Sequence, residues 1–229
     1  MRLSELYTSC QGEGPGVGHM TQFIRFAGCN LRCPGWPCDT QHAIDPEKYR
    51  HEWEKVTPDE VLHRVQEYPR RVTLTGGEPF LQPKDEMNNL IAVLVQRGYA
   101  IEAFTNGTVE WPGMVGYWNQ SMRIIMDWKL EGSGENPFDE MRVENLKRLG
   151  AKDAVKFVIK DENDFKQAVH ISQDLVRFGH RCNAQVYYGA VWGTIDNAKL
   201  VELVQRERLD WKLSVQTHNY IWPPHERAR

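Results

Sequence analysis

The sequence predicts an α/β protein built on parallel strands. Short β-rich runs alternate with helical periodicity from residue 23 onward, the helices carry recognisable capping signals, and the chemically unusual residues fall where strands end. "FIRFAG" (23–28) reads as the first strand. "TPDEVLHRVQEY" (57–68) then opens a helix with Thr57 as N-cap, Pro58 in the first helical position and Glu60 closing a capping box, ahead of an apolar stripe of Val61, Leu62 and Val65. A strand at 71–75, a helix over about 84–97 stopped by Gly98, and strands at 99–105 and 122–128 follow. The segment 136–150 predicts a helix with Asn136 as cap, Pro137 behind it and Gly150 as a left-handed stop. A strand at 153–159, a helix from Asp161 to about Phe178, a strand at 182–188, a helix near 195–207 and a last strand at 211–217 complete the pattern.

Repeated strand, helix, strand order implies right-handed crossovers, and such folds collect ligands at the C-terminal ends of their strands. A loop with three cysteines follows the first strand. "GGEP" (76–79), "TNGT" (105–108), "KLEGSG" (129–134) and "QTH" (216–218) occupy the corresponding ends of later ones.

The length of 229 residues suits one domain spanning 1–229. Lys and Arg number 28 against 31 Asp and Glu, a net charge of -3 with no basic block, so a nucleic acid is not the expected partner. The longest apolar run, "LIAVLV" at 90–95, is far below the roughly 20 residues needed to cross a bilayer. "MRLSELYTSC" lacks the apolar core of a signal peptide, and a soluble cytoplasmic protein is expected. Five cysteines, an odd number, do not suggest a disulfide framework. Cys10 and Cys182 stand apart and read as small buried hydrophobes.

The cluster of thiols is Cys29, Cys33 and Cys38, spaced C-x-x-x-C-x-x-x-x-C on a loop held open by Pro34, Gly35 and Pro37. A structural zinc wants four closed ligands, which His42 would complete. An iron–sulfur cubane held by three thiolates keeps one iron open for a ligand. Unmetallated thiols are the third reading. "TLTGGEPFL" adds a strand end at which Gly76 and Gly77 let backbone approach a ligand and Glu78 supplies a carboxylate.

Taken together, "AGCNLRCPGWPCDT" and "TGGEP" resemble the radical S-adenosylmethionine superfamily. Five further stretches narrow this to the 7-carboxy-7-deazaguanine synthase family: "QGEGPGVG" (11–18), "CDT" (38–40), "DWKLEGSG" (127–134), "DAVKFVI" (153–159) and "LSVQTHNYIW" (213–222). The similarity runs in register from about residue 3 to residue 222. It implies a partial, open parallel β/α barrel and a 4Fe-4S cluster on Cys29, Cys33 and Cys38. It also implies S-adenosylmethionine met by Gly76, Gly77, Glu78, Thr105, Asn106, Lys129 and Ser133, and Mg2+ on Thr40. The substrate would be a pterin, 6-carboxy-5,6,7,8-tetrahydropterin, contracted to a 7-deazapurine with loss of ammonia on the route to queuosine and related compounds. Gln11, Glu13, Arg25, Gln216 and His218 form its complementary donor and acceptor set, the last two alternating on one face of the final strand. Asp39 reads as a local turn acceptor. An electron donor such as flavodoxin or ferredoxin and a homodimer, with the aromatic residues near "NYIWPP" at its interface, are further expectations. Of the tryptophans, Trp53, Trp128, Trp192, Trp211 and Trp222 are expected in core or interface, and Trp36 as a shield over the cluster.

Two departures from the family pattern stand out. The loop has two extra residues between the second and third cysteines, and Phe104 stands where the family usually has Glu, with Glu102 on the same strand face. The rival readings are a glycyl-radical-enzyme activase, and a non-catalytic zinc or iron–sulfur module.

Overall fold

The computed structural model describes residues 1–36, 38–113, 121–177, 184–223 and 227. Its strands are β1 (Arg2–Cys10), β2 (Met20–Phe26), β3 (Glu54–Lys55), β4 (Arg71–Gly76), β5 (Ala100–Thr105), β6 (Met122–Lys129), β7 (Ala154–Ile159), β8 (Gln185–Ala190) and β9 (Lys212–Leu213). They form one sheet in the order β3-β1-β2-β4-β5-β6-β7-β8-β9. Neighbours from β2 to β9 run parallel, whereas β1 is antiparallel to both β2 and β3. The two edges, β3 and β9, do not pair, so the sheet is an open barrel rather than a closed one.

The helices are α1 (Gln41–Ile44), α2 (Pro46–Tyr49), α3 (Pro58–Arg64), α4 (Lys84–Gln96), α5 (Glu140–Leu146), α6 (Glu162–Arg177), α7 (Asn197–Arg206) and α8 (His218–Ile221). Local chemistry accounts for their starts. Thr57 and Glu60 form the expected capping box on α3, and Asp196 caps α7 by accepting from Ala198 N. Gly98, at φ +80°, turns the chain after α4.

The two-residue period of the strands sorts the side chains between the two faces of the sheet. Val72 and Leu74 of β4, Ile124, Met126 and Trp128 of β6, and Val155, Phe157 and Ile159 of β7 join the core shared with Leu90, Ile91 and Leu94 of α4 and Phe165 of α6. The intervening residues Thr73, Thr75, Asp127, Lys129, Lys156 and Val158 face a cavity instead. The core therefore lies between sheet and helices, and the concave face is left for polar chemistry.

Several boundaries differ from the sequence reading. β1, unpredicted, is a nine-residue edge-side strand, and the 23–28 strand begins earlier, at Met20, and ends at Phe26. The helix expected over 57–68 stops at Arg64. In the 136–150 segment Asp139, not Asn136, caps the helix, accepting from Arg142 N at 3.1 Å. Asn136 instead accepts from Phe138 N in a local turn. Gly150 is not left-handed; its N–H donates to Asp153 Oδ2 at 2.8 Å. The final strand is only Lys212–Leu213, and His218 begins α8, so Gln216 and His218 do not alternate on a strand. Cys182, Pro37 and Phe178 lie outside the described residues.

Phe157 is 1% exposed and sits between Trp128 (ring centroids 6.1 Å apart) and Trp211 (5.3 Å). Truncation leaves a cavity that the two flanking indoles cannot collapse into. Phe157→Ala is expected to cost about 3–5 kcal/mol in urea unfolding of the metal-free chain; a loss below about 1 kcal/mol would contradict this packing.

Candidate active site

A cavity of about 650 Å³ opens on the concave face of the sheet. One end of it is made by the loop after β2. Cys29, Cys33 and Cys38 are half-buried there, are unpaired, and all line the cavity. Burial pushes the Cys29 thiol up to about 11 and raises Cys33 and Cys38 as well, while the three raise one another where they approach. Such thiols are protonated at neutral pH, so binding a metal must displace protons.

Three thiols on one loop suit a cubane, which gives each thiolate its own iron and leaves one iron open, whereas a structural zinc wants four closed ligands. His42 Nε2 meets Glu5 Oε2 at 3.0 Å on the wall of the same cavity. The donor set fits an iron–sulfur cluster.

The strand end at β4 is locked to this loop. Gly76 has φ +136°, and a Cβ there would lie 2.0 Å from Phe26 O. Gly77 N donates to Phe26 O and Glu78 N to Gly28 O. The Glu78 carboxylate is fully buried and accepts from Phe80 N, Thr105 Oγ1 and Asn106 N, fixing the end of β5 against that of β4. Burial raises it to about 7 in spite of these bonds.

The other end of the cavity comes from the loop after β1. Because β1 is antiparallel, "QGEG" enters the barrel from the side opposite the cysteine loop. Gly14 N donates to Ser214 Oγ (3.2 Å) and Thr217 N to Gly12 O (3.0 Å), so this loop bridges the gap left between the sheet edges. Gln11 Nε2 donates to Thr73 Oγ1, and Gln216 Nε2 donates to Glu13 Oε1 at 2.8 Å. Glu13 also pairs with Lys156. Lys156 lies 3.0 Å from Asp127 Oδ1, whose other oxygen is 2.9 Å from Lys129. Burial opposes charge on every member, yet Glu13 and Asp127 are held low and Lys129 and Lys156 high by one another.

A second polar group lies on the β1–β2 wall. Arg25 donates from Nε to Glu5 Oε2 (2.9 Å) and from Nη2 to the Tyr7 hydroxyl (2.8 Å), with Tyr7 stacked on Phe23. Glu5 also accepts from Arg227 Nε at 3.1 Å. Burial alone would raise the Glu5 carboxyl; the His42 hydrogen bond and the Arg25 charge outweigh it and hold it at about 2.

The chain is similar along its whole length to known enzymes. It is 34% identical to the 7-carboxy-7-deazaguanine synthase of Clostridium acetobutylicum, over 99% of this chain and 98% of that one. With the Koribacter versatilis protein of the same name it shares 32% over the full length of both. The chain belongs to the 7-carboxy-7-deazaguanine synthase family. A family described as a 4Fe-4S single cluster domain matches residues 11–125. Among solved structures, QueE from Escherichia coli superposes with a TM-score of 0.73 at 22% identity, covering 95% of this chain and 94% of that one. Streptococcus suis SuiB bound to S-adenosylmethionine gives 0.55 at 12% identity over 84% of this chain and 49% of that one, a likeness of fold.

Within this 7-carboxy-7-deazaguanine synthase family fold, the cavity brings together Gln11, Glu13, Arg25, Thr40, Gly76, Gly77, Thr105, Asn106, Lys129, Gln216 and His218 with the three cysteines. It does not include Glu78 or Ser133. Ser133 is spent within its own turn, donating to Leu130 O at 2.6 Å. Asp39 is more than a turn acceptor, since it faces Glu13 and His218. Cys10 is half-buried at the cavity wall rather than in the core. Trp128 is a core residue, whereas Trp192 and Trp222 stand at the cavity rim. Phe104 packs against Ile125, Ala154 and Tyr187, with Lys156 Nζ 5.8 Å from its ring centroid. Glu102 does not replace the missing carboxylate: it pairs with Arg123 at 2.9 Å and lies off the cavity. The sequence reading passed over Asp127, Lys156, Glu5 and Tyr7. The first two sat in quoted motifs, and only the alternation of β6 and β7 signals that they face inward.

Because the Glu5 carboxyl sits near 2 in the fold against 4.5 as its ordinary value, its contribution to stability is complete above about pH 4.5 and is lost as pH falls toward 2. Glu5→Gln is expected to destabilise the metal-free chain at about pH 6 and to lose less stability than wild type between about pH 5 and 3 in urea titrations. Parallel pH profiles for the two proteins would contradict the assignment.

Proposed function

We propose that this chain is a 7-carboxy-7-deazaguanine synthase acting as one radical S-adenosylmethionine domain over residues 1–229. The observation that carries the reading is one cavity lined together by three half-buried thiols and a polar donor and acceptor set. Its volume falls in the range of about 300–1,000 Å³ usual for small-molecule sites. When bound, the cluster and S-adenosylmethionine supply a 5′-deoxyadenosyl radical that takes hydrogen from 6-carboxy-5,6,7,8-tetrahydropterin, whose ring then contracts with loss of ammonia.

The protein's own part is binding, orientation and exclusion of water. Cys29, Cys33 and Cys38 hold the cluster. The backbone at Gly76 and Gly77, with Thr105, Asn106 and Lys129, receives S-adenosylmethionine. Glu78 and Ser133 serve by fixing those strand ends rather than by contact. Thr40, whose hydroxyl lies 3.4 Å from Cys38 Sγ and 3.5 Å from Gly76 O, offers a neutral oxygen to Mg2+ near the substrate carboxylate. Arg25, oriented by Glu5 and Tyr7, pairs with that carboxylate. Glu13 accepts from the guanidine-like edge of the pterin, Gln11 and Gln216 supply mixed contacts, and His218 closes the same side.

An activase of glycyl-radical enzymes would act on a protein and leave the inward-facing Glu13, Gln216 and His218 without a purpose. A structural zinc module would leave the same polar residues without a purpose. No helix among the described residues is long and apolar enough to cross a membrane; a cytoplasmic setting, with flavodoxin or ferredoxin as reductant, completes the reading. The exposed edge-to-face pair of Trp192 and Tyr220, with exposed Ile221, suits a homodimer contact.

The test is anaerobic reconstitution with iron and sulfide. S-adenosylmethionine, reductant, Mg2+ and the pterin are then added, and 7-carboxy-7-deazaguanine is sought by mass spectrometry. Product is expected from wild type and none from Cys33→Ala. 5′-Deoxyadenosine without deazapurine would keep the radical chemistry and reject the substrate. Trp36 lines the cavity beside the cluster loop, so Trp36→Ala is expected to bleach several-fold faster in air; equal rates would remove its shielding role.

A further inference from the structure

Cys33 has a left-handed backbone, φ +44°, which a residue with a side chain adopts only when something holds it. The holder is on another strand's loop. Glu135 Oε1 accepts from the backbone N–H groups of both Arg32 and Cys33, each at 2.7 Å. Two residues on, Gly35 N donates to Ser133 O at 2.9 Å, and a Cβ at Gly35 would lie 1.8 Å from Gly132 O. Residues 32–35 are thus joined to 132–135 over a short stretch that only glycine at 35 permits.

The loop carrying Glu135 is itself fixed. Glu135 N donates to Ser133 Oγ, Gly132 N donates to Asp164 Oδ1, and the fully buried Arg142 donates to Asn136 O and Pro137 O. A brace built this way transmits the rigidity of β6 and α5 to the middle of the cysteine loop.

We propose that Glu135 is a positioning residue for the cluster, one that holds Cys33 in its ligating conformation and places a negative charge beside it. This rests on the reading of Cys29, Cys33 and Cys38 as cluster ligands. Both its hydrogen bonds come from backbone amides rather than cations, so its charge is not cancelled by these partners. The bonds also occupy two N–H groups that could otherwise point at sulfur. Fewer N–H donors to sulfur and an added negative charge both favour the oxidised cluster and lower its reduction potential.

The experiment compares full-length wild type, Glu135→Gln and Glu135→Ala after anaerobic reconstitution. It measures iron and sulfide per chain, the rate of iron loss to a chelator, and the midpoint potential by spectroscopic titration. Glu135→Gln keeps an acceptor oxygen, so it should retain wild-type iron while its potential moves positive. Glu135→Ala loses two charge-assisted bonds and should release iron about tenfold faster or more. An unchanged potential in Glu135→Gln, or an unchanged release rate in Glu135→Ala, overturns the assignment. Should Glu135→Ala fail to fold, the potential of Glu135→Gln decides alone. A wild-type chain that takes up no iron and sulfide overturns the cluster reading itself, and the proposal with it.

Discussion

The interior of the barrel depends on four charges, one buried and three half-buried, that neutralise one another: Lys156 with Glu13, Asp127 and Lys129. The strand period sends apolar residues of β6 and β7 toward the helices and leaves Asp127, Lys129 and Lys156 on the concave side, where an unpaired charge would carry a desolvation cost of several kcal/mol. Removing one partner would therefore expose the others to that cost. The chain of pairs also has a topological role. Glu13 arrives on a loop from the opposite end of the barrel, and its pairing with Lys156, with the Gly12–Thr217 and Gly14–Ser214 hydrogen bonds, ties that loop to β7 and to the segment after β9. An open sheet is closed at its gap by side chains and loop backbone instead of a strand ladder.

At the cysteine end the same problem is solved by backbone. The backbone N–H groups of Gly77 and Glu78 donate to Phe26 O and Gly28 O at the root of the cysteine loop, and the Glu78 carboxylate binds three donors from two chain segments. A carboxylate in that position is strained by desolvation, which is why it sits near 7, but its three acceptor contacts fix β4 and β5 relative to each other. The cavity is thus preorganised both for thiolate ligands and for polar recognition, with the ion chain forming its floor along β6 and β7.

Much of the fold was legible in the sequence because parallel strands and amphipathic helices carry strong periodic signals: β4 to β7, α4 and α6 fall within a residue or two of expectation. The failures have local causes. β1 was missed because "RLSELYTSC" alternates too weakly, its inward Glu5 and Tyr7 being polar for the sake of the site. The 136–150 helix was overextended because Asn136 and Gly150 resemble caps, yet each is engaged in a local turn. The three cysteines, Thr40, Glu13 and Gln216 were legible as motif residues. That Glu78 and Ser133 support the site from behind was not, because sequence position at a strand end does not say which way a side chain turns.

Phe104 shows how charge balance constrains that interior. It shares the concave face with Asp127 and Lys156, its ring packs on Ile125, Ala154 and Tyr187, and Lys156 stands over it. The array beside it holds two lysines and two carboxylates, so it is neutral without any contribution from position 104. A third carboxylate there would need its own cation, since Lys156 is already shared between Glu13 and Asp127 and Arg123 on the neighbouring strand is paired with Glu102. An aromatic ring asks for none and still interacts favourably with the lysine through its face. The departure from the family's usual Glu is thus self-consistent: the ring lets Lys156 serve Glu13 and Asp127 alone, and the inward-facing edge of Glu13 stays committed to Gln216 and the cavity.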